Sequence, residues 1–120
     1  RLDNMEPVLS PAELLQLREM MTAVVVDGSL LNYIAQIVRQ TRTSRAVYLG
    51  ASPRASVAML QASKAYALIQ GRDFVTPDDI KTVTPHVLQH RLILTAEAEM
   101  EGYTPLKVAR KLIEKVEVPK

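Results

Sequence analysis

The chain has 120 residues, a formal net charge of +2 and no cysteine, which fits one domain and excludes disulfides, thiolate nucleophiles and cysteine-type zinc sites. Hydrophobic residues make up 48% of the chain but aromatic residues only 4%, so the core must be aliphatic, which favours helices over a β-sandwich. No apolar run reaches the roughly 18–20 residues of a membrane span, and no signal peptide is visible. We therefore expect a soluble, cytoplasmic protein and, since it begins with Arg1 rather than Met, a piece of a longer one.

Two helices are predicted in the first third of the chain. Residues 1–9 show no helical period and are expected to be a linker. A capping box, Ser10-Pro11-Ala12-Glu13, begins the first helix, whose apolar stripe is predicted to consist of Leu14, Leu17, Met21 and Val24. After a β-favouring run of valines, Asp27 begins a second helix that ends at about Arg42. Its apolar positions recur at a spacing of three to four residues, as a buried helix face requires: Leu30, Ile34, Ile37, Val38 and Thr41.

The third helix is expected to be the centre of the bundle. A loop over residues 43–51 leads to Ser52 as N-cap and Pro53 as first helical residue, and the helix ends before Gly71, a typical C′ residue. Apolar and small residues lie nearly all the way round this helix. Such a helix is usually enclosed by others, so we expect it to be the central one.

Two more helices are predicted after it. Thr76, Pro77 and two aspartates begin the fourth, and Pro85 is expected to kink or split it. Residues 91–95 fit either a helix end or a short extended segment. The last helix begins at Thr104-Pro105, with basic residues outward and these apolar residues inward: Leu106, Ala109, Ile113 and Val116. The fold is thus predicted to be all-α, a compact bundle of about five helices over residues 10–119.

Charge is distributed unevenly along the chain. No Asp or Glu occurs between Asp27 and Asp73, whereas that interval holds six cations: Arg39, Arg42, Arg45, Arg54, Lys64 and Arg72. The positive field indicates an anionic partner or an ordinary solvated set of cations. Nucleic acid is the less favoured partner, because Tyr48 alone could stack on bases in the basic loop and no helix has a dense base-reading face.

Enzyme motifs are scarce. His86 and His90, four residues apart, would share one helix face, but Val87 stands where a metalloprotease needs Glu and no third ligand is near. We therefore predict surface histidines and no metal site. No GxSxG motif occurs, and Asp78 and Asp79 are explained by capping the fourth helix.

Arg54 is the unusual residue. It lies in the first turn of the third helix, where the helix dipole disfavours a cation by about 0.3–1 kcal/mol. Free N–H groups at a helix start attract anions, and a guanidinium adds bidentate bonds to phosphate. The small neighbours Gly50, Ala51, Ser52 and Ala55 would let a bulky ligand approach. The residues leave two interpretations open: a phosphate contact, or an exposed arginine near a cap.

The segment LGASPRAS at residues 49–56 closely resembles the sensor 2 segment of MoxR-type AAA+ ATPases. The similarity continues in the family's order over nearly the whole chain: EPVLSPAELLQL at 6–17, IVRQTR at 37–42, GRDFVTPDDIKTVTPHVLQHRL at 71–92, AEAEMEGYTPLKV at 96–108 and VEVP at 116–119. The resemblance implies a helical lid domain over residues 10–119. Residues 1–9 would then be the linker from an ATPase core.

The resemblance also implies roles for single residues. Arg54 matches the sensor 2 arginine, expected to contact the γ-phosphate of ATP and act in catalysis. The rest of the nucleotide-binding motif is matched by Gly50, Ala51, Ser52, Pro53 and Ala55. Arg42 and Arg45 lie in a matching region, but no nucleotide contact is assigned to either.

Activity and partners follow as expectations from the same resemblance. The chain has no GxxxxGK[ST] loop and no strand ending in an acidic pair for Mg²⁺, so ATP with Mg²⁺ is expected only in the full-length enzyme. Implied partners are the ATPase core, neighbouring subunits of a ring, expected to be hexameric, and von Willebrand factor A-type proteins. The implied task is chaperone-like maturation of client proteins. The alternative is a non-enzymatic helical module that binds nucleic acid or another protein.

Overall fold

Six helices and two short strands follow one another along residues 8–119, the part of the chain that the computed structural model describes. In chain order they are α1 Pro11–Thr22, α2 Gly28–Thr43, β1 Val47–Leu49, α3 Pro53–Ile69, α4 Pro77–Leu88, β2 Ile93–Leu94, α5 Ala96–Met100 and α6 Pro105–Glu114. The all-α prediction is confirmed, and each of the five predicted helices is present. The addition is α5, a single turn of five residues. Most of the predicted linker, residues 1–7, lies outside the described residues.

Local capping explains where the helices begin. Ser10 and Glu13 form a reciprocal capping box at α1, and Thr76 and Asp79 form a second one at α4. In each box, the side chain of the first residue accepts the N–H of the second, whose own carboxylate accepts the N–H of the first. These bonds satisfy N–H groups that a helix start leaves without a partner, so the predicted starts of α1 and α4 are confirmed.

Four helices supply the centre of the core. Ile37 of α2, Met59 of α3, Ile80 of α4 and Ala109 of α6 are each fully buried. All the predicted inward positions of α2 are buried as well. The molecule measures 48 × 43 × 21 Å, so it is a plate about two helix diameters thick. Its core is a thin layer of aliphatic side chains between helices.

The apolar stripe predicted for α1 is wrong. None of the residues of α1 is buried, and Leu14 and Leu17 are 45% and 39% exposed. Among the described elements α1 packs mainly against α3, and one neighbour does not cover a whole helix face. Val24, just beyond the helix, is buried as expected.

The third helix is central but not fully enclosed. It packs against α1, α2 and α4, and its buried residues recur every fourth position: Ala55, Met59, Ser63 and Ala67. On the other side Val57 and Ile69 are 59% and 79% exposed. The helix ends as predicted at Gly71, whose positive φ of 80° suits glycine. None of the helices within residues 8–119 has both the length and the apolar character needed to span a bilayer.

The predicted loop 43–51 contains a short strand, β1, which pairs antiparallel with β2. Within residues 91–95, for which two interpretations were open, Ile93 and Leu94 form β2 and Arg91 lies in a turn. Of the two outcomes predicted at Pro85, a kink or a split, the split does not occur, since α4 continues through the proline to Leu88. Pro85 lies in the last turn of α4, and the Gln89 N–H still bonds to its carbonyl oxygen at 3.0 Å. The helical hydrogen bond at the end of α4 is therefore kept despite the proline.

Candidate functional site

The segment 50–55 forms the junction between β1 and α3. Ser52 is the N-cap of α3, and Pro53 is its first helical residue. Ser52 has extended backbone angles, φ −78° and ψ 167°, but its side chain makes no capping hydrogen bond. The first turn of α3 contains no acidic residue. Neither a capping side chain nor an acidic residue therefore compensates the positive end of the dipole of this 17-residue helix.

Gly50 is required by a close approach of two backbones. A Cβ at this position would lie 2.8 Å from the carbonyl oxygen of Thr41 and 3.0 Å from the Cα of Arg42. Both atoms belong to the backbone of the last turn of α2, so the clash could not be relieved by the rotation of a side chain. The glycine lets the segment before α3 lie directly on the end of α2.

Ala51 is held by both of its backbone polar groups. Its N–H donates to the Thr41 hydroxyl oxygen at 3.0 Å, and its carbonyl oxygen accepts from the Arg42 Nε–H at 3.2 Å. Thr41 is fully buried, and its hydroxyl in turn donates to the Val38 carbonyl oxygen. Two residues of the last turn of α2, Thr41 and Arg42, thus fix the peptide groups that lead into α3. Sequence reasoning missed this contact, because the partners are nine and ten residues apart.

The small residues of the segment turn out to serve packing. Ala51 is 1% exposed and Ala55 is fully buried, so both methyl groups lie in the core of the chain. We expected small side chains here to admit a bulky ligand. The structure gives a different reason for their size at these two positions, and any ligand contact with them would have to use backbone atoms.

Arg54 lies at the surface of this junction. It is exposed, and within residues 8–119 its guanidinium takes part in no ion pair or hydrogen bond. Because it stands in the first turn of α3, its charge adds to that of the helix dipole instead of opposing it. The arrangement raises the local positive potential, and an anion with several oxygens fits it chemically.

The other cations of the acid-free interval divide into separate groups. Among the cations outside the segment 50–55, Arg42 bonds to that segment through the Ala51 carbonyl oxygen. Arg45 lies in the turn before β1 and lines a groove of about 720 Å³ whose walls include residues of α5 and α6. Arg72 forms an ion pair with Asp79. The basic residues thus do not form one continuous track.

Arg72 and Asp79 form a clasp between the end of α3 and the start of α4. The two guanidinium N–H groups donate to the two carboxylate oxygens at 2.6 and 2.5 Å, and the Thr76 N–H donates to the same carboxylate at 2.8 Å. Burial would raise the pKa of Asp79, but the hydrogen bonds from Arg72 and Thr76 outweigh it and hold that pKa below its ordinary value. Capping by Asp79 is confirmed, whereas its pairing with Arg72 was not predicted.

The clasp leads to a prediction on pH. At neutral pH the chain is expected to melt at a higher temperature than Asp79→Asn, and this difference should shrink as the pH falls below about 4. A carboxyl with a lowered pKa stabilises the fold above the unfolded value of 3.8, and that stabilisation is lost as the pH falls through the folded value. Thermal unfolding of both variants between pH 7 and pH 2 provides the measurement.

Asp78→Asn is the matched control, since Asp78 is the exposed neighbour of Asp79 in the same helical turn. It should show a much smaller difference at every pH. A melting difference for Asp79→Asn that stays constant down to pH 2 would show that the carboxylate charge contributes nothing.

The two histidines do not share a helix face. His86 is the third residue from the end of α4, and His90 lies beyond that end. The predicted common face is therefore wrong, because α4 ends at Leu88 before completing the turn. Both histidines are exposed, and within residues 8–119 no group of three or more potential ligands could hold a metal ion.

Comparisons with known proteins identify the family of this domain. The described residues form a small, mostly helical domain, and an exposed arginine lies in the first turn of its longest helix, α3. A family model described as the AAA lid domain matches residues 39–115. The chain belongs to this family, and the relatives that it resembles along almost its whole length include a MoxR chaperone.

Three relatives illustrate the extent of the likeness. The YeaC protein of Bacillus subtilis is 39% identical over 118 residues, which are 98% of this chain and 37% of that protein. Chaperone MoxR1 of Mycobacterium tuberculosis is 36% identical over 121 residues, 93% of this chain and 32% of that protein. The crystal structure of a protein assigned as an ATPase, from Cytophaga hutchinsonii, superposes with a TM-score of 0.87 at 31% identity, covering 100% of this chain and 41% of that one. The chain thus spans between about a third and two fifths of the length of these relatives.

Proposed function

We propose that this domain is the lid of a MoxR-type ATPase and that Arg54 is its sensor 2 residue, which contacts the γ-phosphate of ATP. The observation that carries the proposal is the exposed guanidinium, without a partner among the described residues, at the uncompensated positive end of α3. When no anion is bound, a positive charge at this end of the helix dipole is unfavourable. A phosphate would supply the missing negative charge through short, charge-assisted hydrogen bonds.

The remaining parts of the nucleotide site belong, in this proposal, to the ATPase core. Phosphoryl transfer depends mainly on positioning and on charge stabilisation, and this chain would supply one positive group to that site. The backbone of the segment 50–55 would lie along the nucleotide, while the core would hold the Mg²⁺ and the other phosphates. The chain by itself should therefore not hydrolyse ATP.

The coupling of chemistry to movement follows from the rigid attachment of Arg54. Before hydrolysis Arg54 would bind the γ-phosphate, and after hydrolysis and phosphate release it would lose that partner. Since α3 packs against three other helices, the lid would change position relative to the core as one body. We infer that this occurs in a cytoplasmic ring of such ATPases that assists the maturation of client proteins, together with von Willebrand factor A-type partners.

A module that binds nucleic acid is the alternative suggested by the acid-free interval. Two observations weaken it: Arg72 is neutralised by Asp79, and Arg45 faces a groove that also contains Glu97 and Glu101. A polyanion needs a row of available cations to track its phosphates. Because Arg72 is paired and Arg45 lies beside two carboxylates, not all cations of the interval are available to such a partner.

Nucleotide discrimination tests the proposal. In the full-length ATPase, Arg54→Ala should weaken the affinity for a non-hydrolysable ATP analogue by about ten- to a hundredfold, as expected for one lost charge-assisted contact. The affinity for ADP should change far less, because ADP lacks the γ-phosphate. Calorimetric titration of both nucleotides measures the two affinities.

Arg110→Ala is a suitable control, since Arg110 is an exposed arginine on a different helix, α6. It should leave both affinities unchanged. Equal weakening of the analogue and of ADP by Arg54→Ala would contradict a γ-phosphate contact.

A further inference from the structure

The last turn of α2 is bonded directly to the segment that leads into α3. Thr41 and Arg42 bond both backbone polar groups of Ala51, and Gly50 allows the two backbones to touch. Thr41 is buried and its bond to Ala51 belongs to the core. Arg42, in contrast, is exposed, and its bond to the Ala51 carbonyl is the one hydrogen bond that its side chain makes within residues 8–119. Because the Arg42 side chain is exposed, core packing does not explain this hydrogen bond.

The chain between Ala51 and Arg54 has little torsional freedom. Pro53 fixes its own φ, and a residue before proline is restricted to extended angles, which Ser52 indeed adopts. The Ala55 N–H closes the first turn by donating to the Ser52 carbonyl oxygen at 2.9 Å. The orientation of the Ala51 peptide group is therefore transmitted almost rigidly to the position of Arg54.

We propose that Arg42 is a positioning residue for Arg54: its Nε–H holds the Ala51 carbonyl and thereby sets the direction in which the first turn of α3 presents the sensor arginine. The inference rests on the function proposed for Arg54. The relevant atom is Nε, so the hydrogen bond matters and the charge of Arg42 does not. An arginine that reached the nucleotide itself would depend on its terminal nitrogens and on its charge.

Two substitutions of nearly equal length separate these roles. In Arg42→Gln the amide nitrogen Nε2 takes the place of the arginine Nε, so a donor to the Ala51 carbonyl is kept while the charge is lost. In Arg42→Met the side chain is of similar length, and both the donor and the charge are lost. The ATPase activity of the full-length enzyme, with kcat and KM for ATP measured separately, is the readout.

We expect Arg42→Met to lower kcat by about tenfold with a smaller rise in KM for ATP, since a small misplacement of a catalytic group is costly. Arg42→Gln should stay within about twofold of the wild type. Equal losses in the two variants would overturn the proposal, because the charge would then be the important property. Should Arg42→Met fail to fold, Arg42→Gln decides alone: near-normal turnover supports the role, and a tenfold loss overturns it.

A double variant distinguishes this inference from the function on which it rests. If Arg42 acts through Arg54, adding Arg42→Met to Arg54→Ala should cause no further loss of kcat. A further tenfold loss would show that Arg42 acts independently, which would overturn the positioning role and leave the function of Arg54 intact. An Arg54→Ala enzyme with normal turnover would overturn both.

Discussion

Replacing Arg54 with alanine in the full-length ATPase is expected to lower ATP turnover on the order of a thousandfold, the scale at which a single arginine acts in phosphoryl transfer. This loss of kcat comes in addition to the weaker ATP binding predicted above, because the guanidinium also stabilises charge that develops on the transferred phosphoryl group. The side chain is exposed and bonds to nothing within the described residues, so its removal should not unfold the lid. Steady-state kinetics and the melting temperature of the same preparation measure both effects.

Arg110→Ala again provides the comparison, as it removes an exposed arginine from α6. Its turnover should equal that of the wild type. Normal turnover in Arg54→Ala would contradict the assignment of Arg54 as the sensor 2 residue, and a large fall in melting temperature would show that the loss of turnover had a structural origin.

Gly50→Ala is expected to have the second large effect, since it damages both stability and turnover. The added Cβ would meet the Thr41 carbonyl oxygen at 2.8 Å and the Thr41 carbonyl carbon at 2.9 Å, and neither atom can rotate away. The segment would have to lift from α2 and strain or break both hydrogen bonds of Ala51. Overpacking of this kind costs about 1–3 kcal/mol in the free energy of unfolding, which urea denaturation of the chain can measure. Turnover of the full-length enzyme should fall too, because Arg54 follows four residues later.

Gly28→Ala is the matched control for this glycine. Nothing lies within 4 Å of a Cβ built at Gly28, and this residue is the first of α2. Alanine there should leave stability unchanged or raise it by up to about 1 kcal/mol. If Gly50→Ala behaved like Gly28→Ala, the close approach of the two backbones would not constrain the protein.

Features governed by neighbouring residues could be predicted from the sequence. The capping boxes at Ser10 and Thr76 depend on residues three positions apart, and the buried face of α2 follows from its own period. The burial of α1 could not be predicted in this way, because it depends on what packs against the helix. The single turn α5 is too short for a periodic pattern to reveal it.

In the candidate site, too, the local features could be predicted from the sequence, and the contacts between distant residues could not. The N-cap and the proline before Arg54 were visible in the sequence, and the resemblance indicated the purpose of the arginine. The reason for Gly50 was not visible, since it lies in the backbone of α2, across a turn and a strand. The pairing of Arg72 with Asp79 was missed for a related reason: only the fold shows that the turn after α3 brings them together.

The flat shape of the domain has a mechanical consequence. In a plate 48 Å long and 21 Å thick, a rotation about one edge displaces the opposite edge through a long arc. A turn of about 15°, a size seen in allosteric proteins, would sweep that far edge through about 12 Å. In the proposed mechanism, making or breaking a phosphate contact shifts atoms by far less, so the dimensions of the domain would amplify that movement.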